Sequence, residues 1–158
     1  MKYQKILIAL DNSPLAKKVF EEGLSIAKYH EAALKLFHCL PIETPSTVPY
    51  TSLYEGEFND FSYLMREQLE TQAKEAEKWL KNYAAIADKQ GVSIEWDWKI
   101  GEPGRWVKET AQDWQADLIV VGRRGLTGVS EMLLGSVSNY IVHHSPCSVL
   151  VVQETKVN

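Results

Sequence analysis

No apolar run in this 158-residue chain approaches the roughly 18–20 residues needed to cross a bilayer. Cysteine is scarce. Cys39 and Cys147 stand far apart and form neither a CxxC pair nor a Cys/His cluster, so both read as small core thiols suited to a reducing cytoplasm, with a disulfide left open. Positive charge is not in excess either. Seventeen Lys and Arg against 21 Asp and Glu give a net charge of −4, which lacks the broad basic footprint of a duplex nucleic-acid binder and gives no electrostatic reason to sit on an anionic membrane. There is no HExxH, no Walker GxxxxGK[ST] and no dinucleotide GxGxxG, nor any internal repeat or low-complexity tract. The N-terminus has a basic start and a short apolar stretch, Ile6 to Leu10. That stretch stops at Asp11 without a small-residue cleavage site, so a buried strand is the better reading than a secretion signal.

What is present is an ordinary globular composition, 45% hydrophobic and 24% charged, at a length that suits one domain over residues 1–158. Short apolar runs alternate with amphipathic segments, the pattern of a parallel α/β sheet. Strands are expected at Lys5–Leu10, Ala33–Leu40, Val92–Ile100, Asp117–Val121 and Ser148–Val152. Ser13-Pro14 reads as an N-cap and first helical residue, followed by Ala16, Phe20, Gly23, Leu24 and Ala27 on one buried face. Residues 41–60 carry Pro41, Pro45 and Pro49 among Thr and Ser and lack periodicity, so a flexible loop or lid is expected there. Met65, Leu69, Ala73, Ala76, Leu80, Tyr83 and Ala87 then repeat at spacings of three and four, and Gly91 stops that helix. A third helix turns Val107, Thr110, Ala111 and Trp114 inward, and a short fourth runs over Ser136–His144. The fold class expected is a five-stranded parallel doubly wound sheet, order 3-2-1-4-5, with helices on both faces. Ligand sites then lie beyond the strand C-terminal ends.

One such end carries the chemistry. Gly122-Arg123-Arg124-Gly125, then Leu126 to Leu134, then Gly135-Ser136 sit between a strand and a helix. Glycines bring backbone amides close to a ligand, a helix N-terminus favours an anion, Ser136 adds a hydroxyl, and the arginines add charge. The same run also reads as a glycine-rich turn with two solvated arginines. Asp11, at the end of the first strand, faces the same crevice, where it can hold a ribose hydroxyl, an amino group or a metal beside phosphates, or simply cap the first helix with Ser13.

At these residues the chain resembles the universal stress proteins. Gly122-x2-Gly125-x9-Gly135-Ser136 matches the G-x2-G-x9-G-(S/T) loop of the ATP-binding members. Lys5–Asp11, His38-Cys39, Gly101-x-Pro103 and Ser148–Val152 resemble further family markers, so the likeness spans nearly the whole chain. It implies that Asp11 helps hold adenosine, that the backbone at Cys39 reads the adenine edge, and that Gly122, Gly125, Gly135, Ser136 and Val137 cradle ribose and phosphates. ATP, with Mg²⁺ beside the triphosphate, is the implied ligand. A homodimer through the last strand (Val149, Leu150, Val151, Val152) is the implied assembly, in the cytoplasm and without nucleic acid or membrane. Arg123 departs from the pattern, which has a small hydroxyl residue there; it adds phosphate affinity or points away from the loop.

The function expected is a nucleotide-dependent regulator or stress-response protein without dedicated catalysis. A slow ATP hydrolase or self-phosphorylating enzyme is the alternative, and a ligand-free dimeric interaction module the next. His30, His38, His143 and His144 show no spacing that pairs them with a nucleophile, and the last two read as partners of a helix C-terminus. On this reading Val at Gly122 or Gly135 abolishes ATP retention and leaves the fold intact.

Overall fold

Lys5–Ala9 (β1) has no polar side chain among its last four residues, and Ile6, Leu7 and Ile8 are fully buried, because helices cover both faces of the strand. The computed structural model describes residues 1–42, 55–123 and 134–154, with backbone only for 55–61. After β1 come Ala16–His30 (α1), Ala33–Leu40 (β2), Glu55–Lys89 (α2), Ile94–Ile100 (β3), Pro103–Trp114 (α3), Leu118–Gly122 (β4), Ser136–His144 (α4) and Ser148–Val152 (β5). All pairings in the sheet are parallel and the order is β3-β2-β1-β4-β5, as the alternation of elements requires.

The strand period of two splits the core into two layers. Ile6, Ile8, Leu34, Leu36, Leu118 and Val120 face α1 and α2, while Leu7, Phe37, Ile119 and Val121 face α3 and α4. Each fully buried side chain of this size contributes about 1.5–3 kcal/mol of transfer free energy. On the first layer α1 lies so close to the sheet that a Cβ at Gly23 would run into Ile8. Both cysteines are free thiols, Cys39 buried and Cys147 half-buried.

Two helix starts differ from the sequence expectation. Ser13 does not cap α1. Its amide donates to Asp11 Oδ1 at 3.1 Å and its carbonyl accepts from Ala16 N at 3.1 Å, so a tight turn comes first and the helix begins at Ala16, with Leu15 in the cap position. The second helix begins at Glu55, inside the segment expected as loop; residues 43–54 of that segment lie outside the described residues. Its end matches expectation: Gly91 takes φ +76°, and Val92 N donates to Ala87 O at 3.1 Å, which closes the last turn. Entry to α3 is also well fixed. Gly101 sits at φ +144°, where its missing Cβ also leaves room for Trp106, and the Glu102 carboxylate accepts from the amides of Gly104 and Arg105.

Candidate functional site

Beyond the C-terminal ends of the central strands the helices diverge to opposite faces, and this opens a crevice between β1 and β4. Ala9 lies in register with Val121, so the chain leaves β1 through Leu10 and Asp11 directly beside the place where it leaves β4 through Gly122 and Arg123. Asp11 is half-buried, and the bond from Ser13 N fixes one of its carboxylate oxygens over the start of the turn into α1. The local-cap role is thus real, through an amide of the turn and not through the helix proper.

The N-terminus of α4 faces this end of the sheet. Gly135 is its N-cap, in extended conformation at φ −59° and ψ 158°, and makes no side-chain cap hydrogen bond. The first bond into the helix is Asn139 N to Gly135 O at 2.9 Å, so the amides of Ser136, Val137 and Ser138 precede the internal ladder. Ser136 is exposed there. Two residues on, Ser138 is only 2% exposed, and its hydroxyl donates to the Gly122 carbonyl at 3.1 Å. That bond ties the end of β4 to the first turn of α4 and holds the two halves of the glycine pattern together. Sequence alone does not single out Ser138. Its position three residues before the buried Ile141, on the inward face of α4, was the available signal.

Arg123 continues the sheet by one bond, Arg123 N to Val152 O at 2.8 Å, and its guanidinium donates to Gln153 Oε1 at 3.3 Å. Lys18 of α1 donates to Gln153 O at 2.7 Å, so both cations gather at Gln153, just past the end of β5. Gly125 lies outside the described residues.

The adenine side of the expected site is the end of β2. Leu10 N donates to Phe37 O and Gly101 N donates to Leu40 O, so backbone polar groups of odd residues turn towards β1 and those of even residues towards β3. The N–H and C=O of Cys39 therefore face the β1 side, past the last registered pair, Ala9 with Phe37. The Cys39 thiol points elsewhere. It donates to Gly101 O at 3.5 Å, and burial together with the nearby Glu102 charge pushes it up to about 11, which leaves it inert at neutral pH.

His38 sits between these parts. It is 8% exposed, packs edge-on against Trp79 at 4.8 Å between ring centres, and its Nδ1 lies 2.7 Å from Leu10 O. A carbonyl accepts only, so Nδ1 carries the proton and the ring clamps the end of β1 beside Asp11. Burial lowers its pKa, against smaller raising effects of the Leu10 carbonyl and Asp11. The folded state thus resists protonation while the unfolded chain accepts it, so stability falls as pH drops below the ordinary histidine value of 6.5. Thermal melts at about pH 7.5 and about pH 5.5 are expected to show this loss, and His38→Asn, which keeps a donor for Leu10, to reduce it.

The other histidines are apart from the crevice residues. His30 Nδ1 accepts from Tyr3 N, while His143 and His144 are exposed in the last turn of α4, with His144 stacked on Tyr140 at 4.2 Å. Among the described residues no group of three or more His, Cys, Asp or Glu is placed to hold a metal ion, and no helix is long and apolar enough to cross a membrane. Among the described residues the crevice offers a carboxylate, directed backbone groups, a helix N-terminus without a side-chain cap and two cations at one side. This donor set suits a ligand with hydroxyls at one end and anionic oxygens at the other.

The universal stress protein family model matches residues 2–153. The chain belongs to the universal stress protein family. It is 45% identical over 153 residues to the universal stress protein Sll1388 of Synechocystis sp., covering 97% of this chain and 99% of that one. Among solved structures, the universal stress protein UspA of Lactobacillus plantarum superposes with a TM-score of 0.77 at 25% identity, covering 96% of this chain and 99% of the other. A universal stress protein of Archaeoglobus fulgidus, solved in complex with dAMP, shares the fold with a TM-score of 0.64 at 20% identity over 96% of this chain and 98% of its own.

Proposed function

We propose that this universal stress protein binds ATP in the crevice between β1 and β4 and acts as a nucleotide-dependent regulator in the cytoplasm, without dedicated catalysis. The observation that carries the reading is the N-terminus of α4, which has no side-chain cap among the described residues and which Ser138 fastens to the end of β4, beside the strand end that carries Asp11. First-turn amides outside the helical ladder and the positive end of the helix dipole favour phosphate oxygens there. Asp11 then accepts from the ribose, the backbone of Cys39 reads the adenine edge, and Gly122, Gly125, Gly135, Ser136 and Val137 surround the phosphates. Arg123 serves the phosphates from the β5 side, next to Lys18. A Mg²⁺ ion bound with ATP would neutralise the triphosphate, with Asp11 as the carboxylate nearest to hand. The dAMP carried by the Archaeoglobus fulgidus protein supports an adenine nucleotide as the class of ligand. For assembly we propose a homodimer through β5, whose Val149, Leu150 and Val151 form an apolar edge that pairing would cover.

The test is to incubate the purified protein with ATP and Mg²⁺, then assay retained nucleotide and released phosphate. Retention without phosphate release is expected. Ser136→Ala removes one hydroxyl donor from an exposed site, so ATP affinity is expected to fall by up to about tenfold while the melting temperature stays put. Rapid phosphate release would favour a hydrolase, and no retained nucleotide at all would sink the reading.

A further inference from the structure

The apolar stripe of α2 runs unbroken from Met65 to Ala87, but its two halves differ in burial. Ala76, Leu80 and Ala87 are at most 1% exposed, whereas Met65, Leu69 and Ala73 are half-buried and the adjoining Tyr63 and Leu64 are 63% and 61% exposed. Length explains the split. Thirty-five residues of helix extend about 52 Å, against about 23 Å for the seven residues of β3, so the first turns of α2 run past the end of the strand. The result is an open cleft of about 530 Å³, walled by Met65, Leu69 and Ala73 and floored by Trp98 and Ile100.

Arg66 and Glu70 also line this cleft, with Ser62 one turn before Arg66. They stand four residues apart with opposite charges, the spacing at which helical ion pairs form. Yet among the described residues neither belongs to any ion pair. An apolar strip flanked by one such positive and one such negative charge, offset by a helical turn, is self-complementary under two-fold rotation.

We propose that this face of α2 is an interface with a second copy of the chain, the two helices packed antiparallel about an axis that crosses them near Glu67 and Gln68. Rotation about that axis sets Met65 against Leu69 of the second copy and Arg66 against its Glu70, and each contact is made twice. The surface lies at the β3 edge of the sheet, opposite the β5 edge, so it is independent of strand pairing and of nucleotide.

The experiment reads solution mass by light scattering for Arg66→Glu, for Glu70→Arg and for an equimolar mixture of the two. Either substitution alone puts like charges across the axis, and each is expected to halve the wild-type mass. The mixture is expected to regain it, because every reversed charge then faces its opposite. Halving is the signature whether the wild type holds two copies or, with β5 paired as well, four; a wild-type mass of four chains would support both contacts. Both side chains are exposed and, among the described residues, outside any ion pair of their own chain, so melting temperatures near the wild-type value are expected to show intact folding. Single variants that keep the wild-type mass, or a mixture that does not recover it, would overturn the proposal.

Discussion

Gly122→Val is expected to lower the melting temperature of the nucleotide-free protein as well as to impair ATP retention. A Cβ built on Gly122 comes within 2.9 Å of Val19 Cγ2 and 3.1 Å of Leu15 Cδ2, so the end of β4 has space for a glycine and little more. Both obstructing atoms belong to side chains that seat the start of α1, and Val19 is 3% exposed, with little freedom to withdraw. Overpacking of this kind typically costs about 1–3 kcal/mol. For a domain of this length that corresponds to a drop of roughly 2–12 °C. From the sequence alone the fold is expected to survive this substitution, because a glycine in a phosphate-loop pattern is judged by the ligand it admits; the structure adds α1 packed against the same atom. Calorimetry of Gly122→Val beside Ser136→Ala, both without nucleotide, separates the two roles. A Gly122→Val protein that melts like the wild type would show that Leu15 and Val19 give way and that the glycine does not serve packing. If Ser136→Ala melted lower by a similar amount, it could no longer serve as the fold-neutral probe of the loop.

The parts of this molecule that sequence made legible are those where one physical requirement dominates. β1 and β4 read as central strands because Ile6–Ile8 and Leu118–Val121 must be apolar on both faces, and the order β3-β2-β1-β4-β5 then follows from right-handed crossovers. β3 alternates because it is an edge strand with α2 on one face, and Glu95, Asp97 and Lys99 fall on the other. Helix starts were less legible, because several local signals compete. Ser13-Pro14 satisfies the cap rule, yet Asp11 two residues earlier captures the Ser13 amide and delays α1 to Ala16. Glu55 to Asp60 carries Gly56, Asn59 and Asp60, weak helix formers that hid the first turns of a helix whose apolar stripe starts only at Met65. At the candidate site, the residues contributed by strand ends could be placed by topology. The Ser138 to Gly122 bond could not, because it depends on how α4 is rotated about its axis.

The second large effect separates two leucines that the sequence pattern treats as equivalents. Leu80→Ala is expected to destabilise the domain by about 2–5 kcal/mol, and Leu69→Ala by less than about 1 kcal/mol in dilute protein. Leu80 is fully buried among α1, α2 and the sheet, in the layer that holds Phe20, Leu34 and Leu36, where a deleted isobutyl group leaves a cavity. Leu69 occupies the same stripe three turns earlier but borders the open cleft, so its truncation removes contact without creating an enclosed void. With the same conversion from free energy to temperature, the first variant should melt roughly 4–20 °C below wild type and the second within a few degrees of it. Concentration adds the deciding comparison. If the first half of α2 pairs with a second copy, melting of the wild type should rise with protein concentration, and Leu69→Ala should weaken that dependence while Leu80→Ala keeps it. Equal losses for the two leucines in dilute solution would mean that the stripe is uniformly buried within one chain. The face proposed for the second copy would then already be filled, and Arg66 and Glu70 would lose the partners that two-fold pairing gives them.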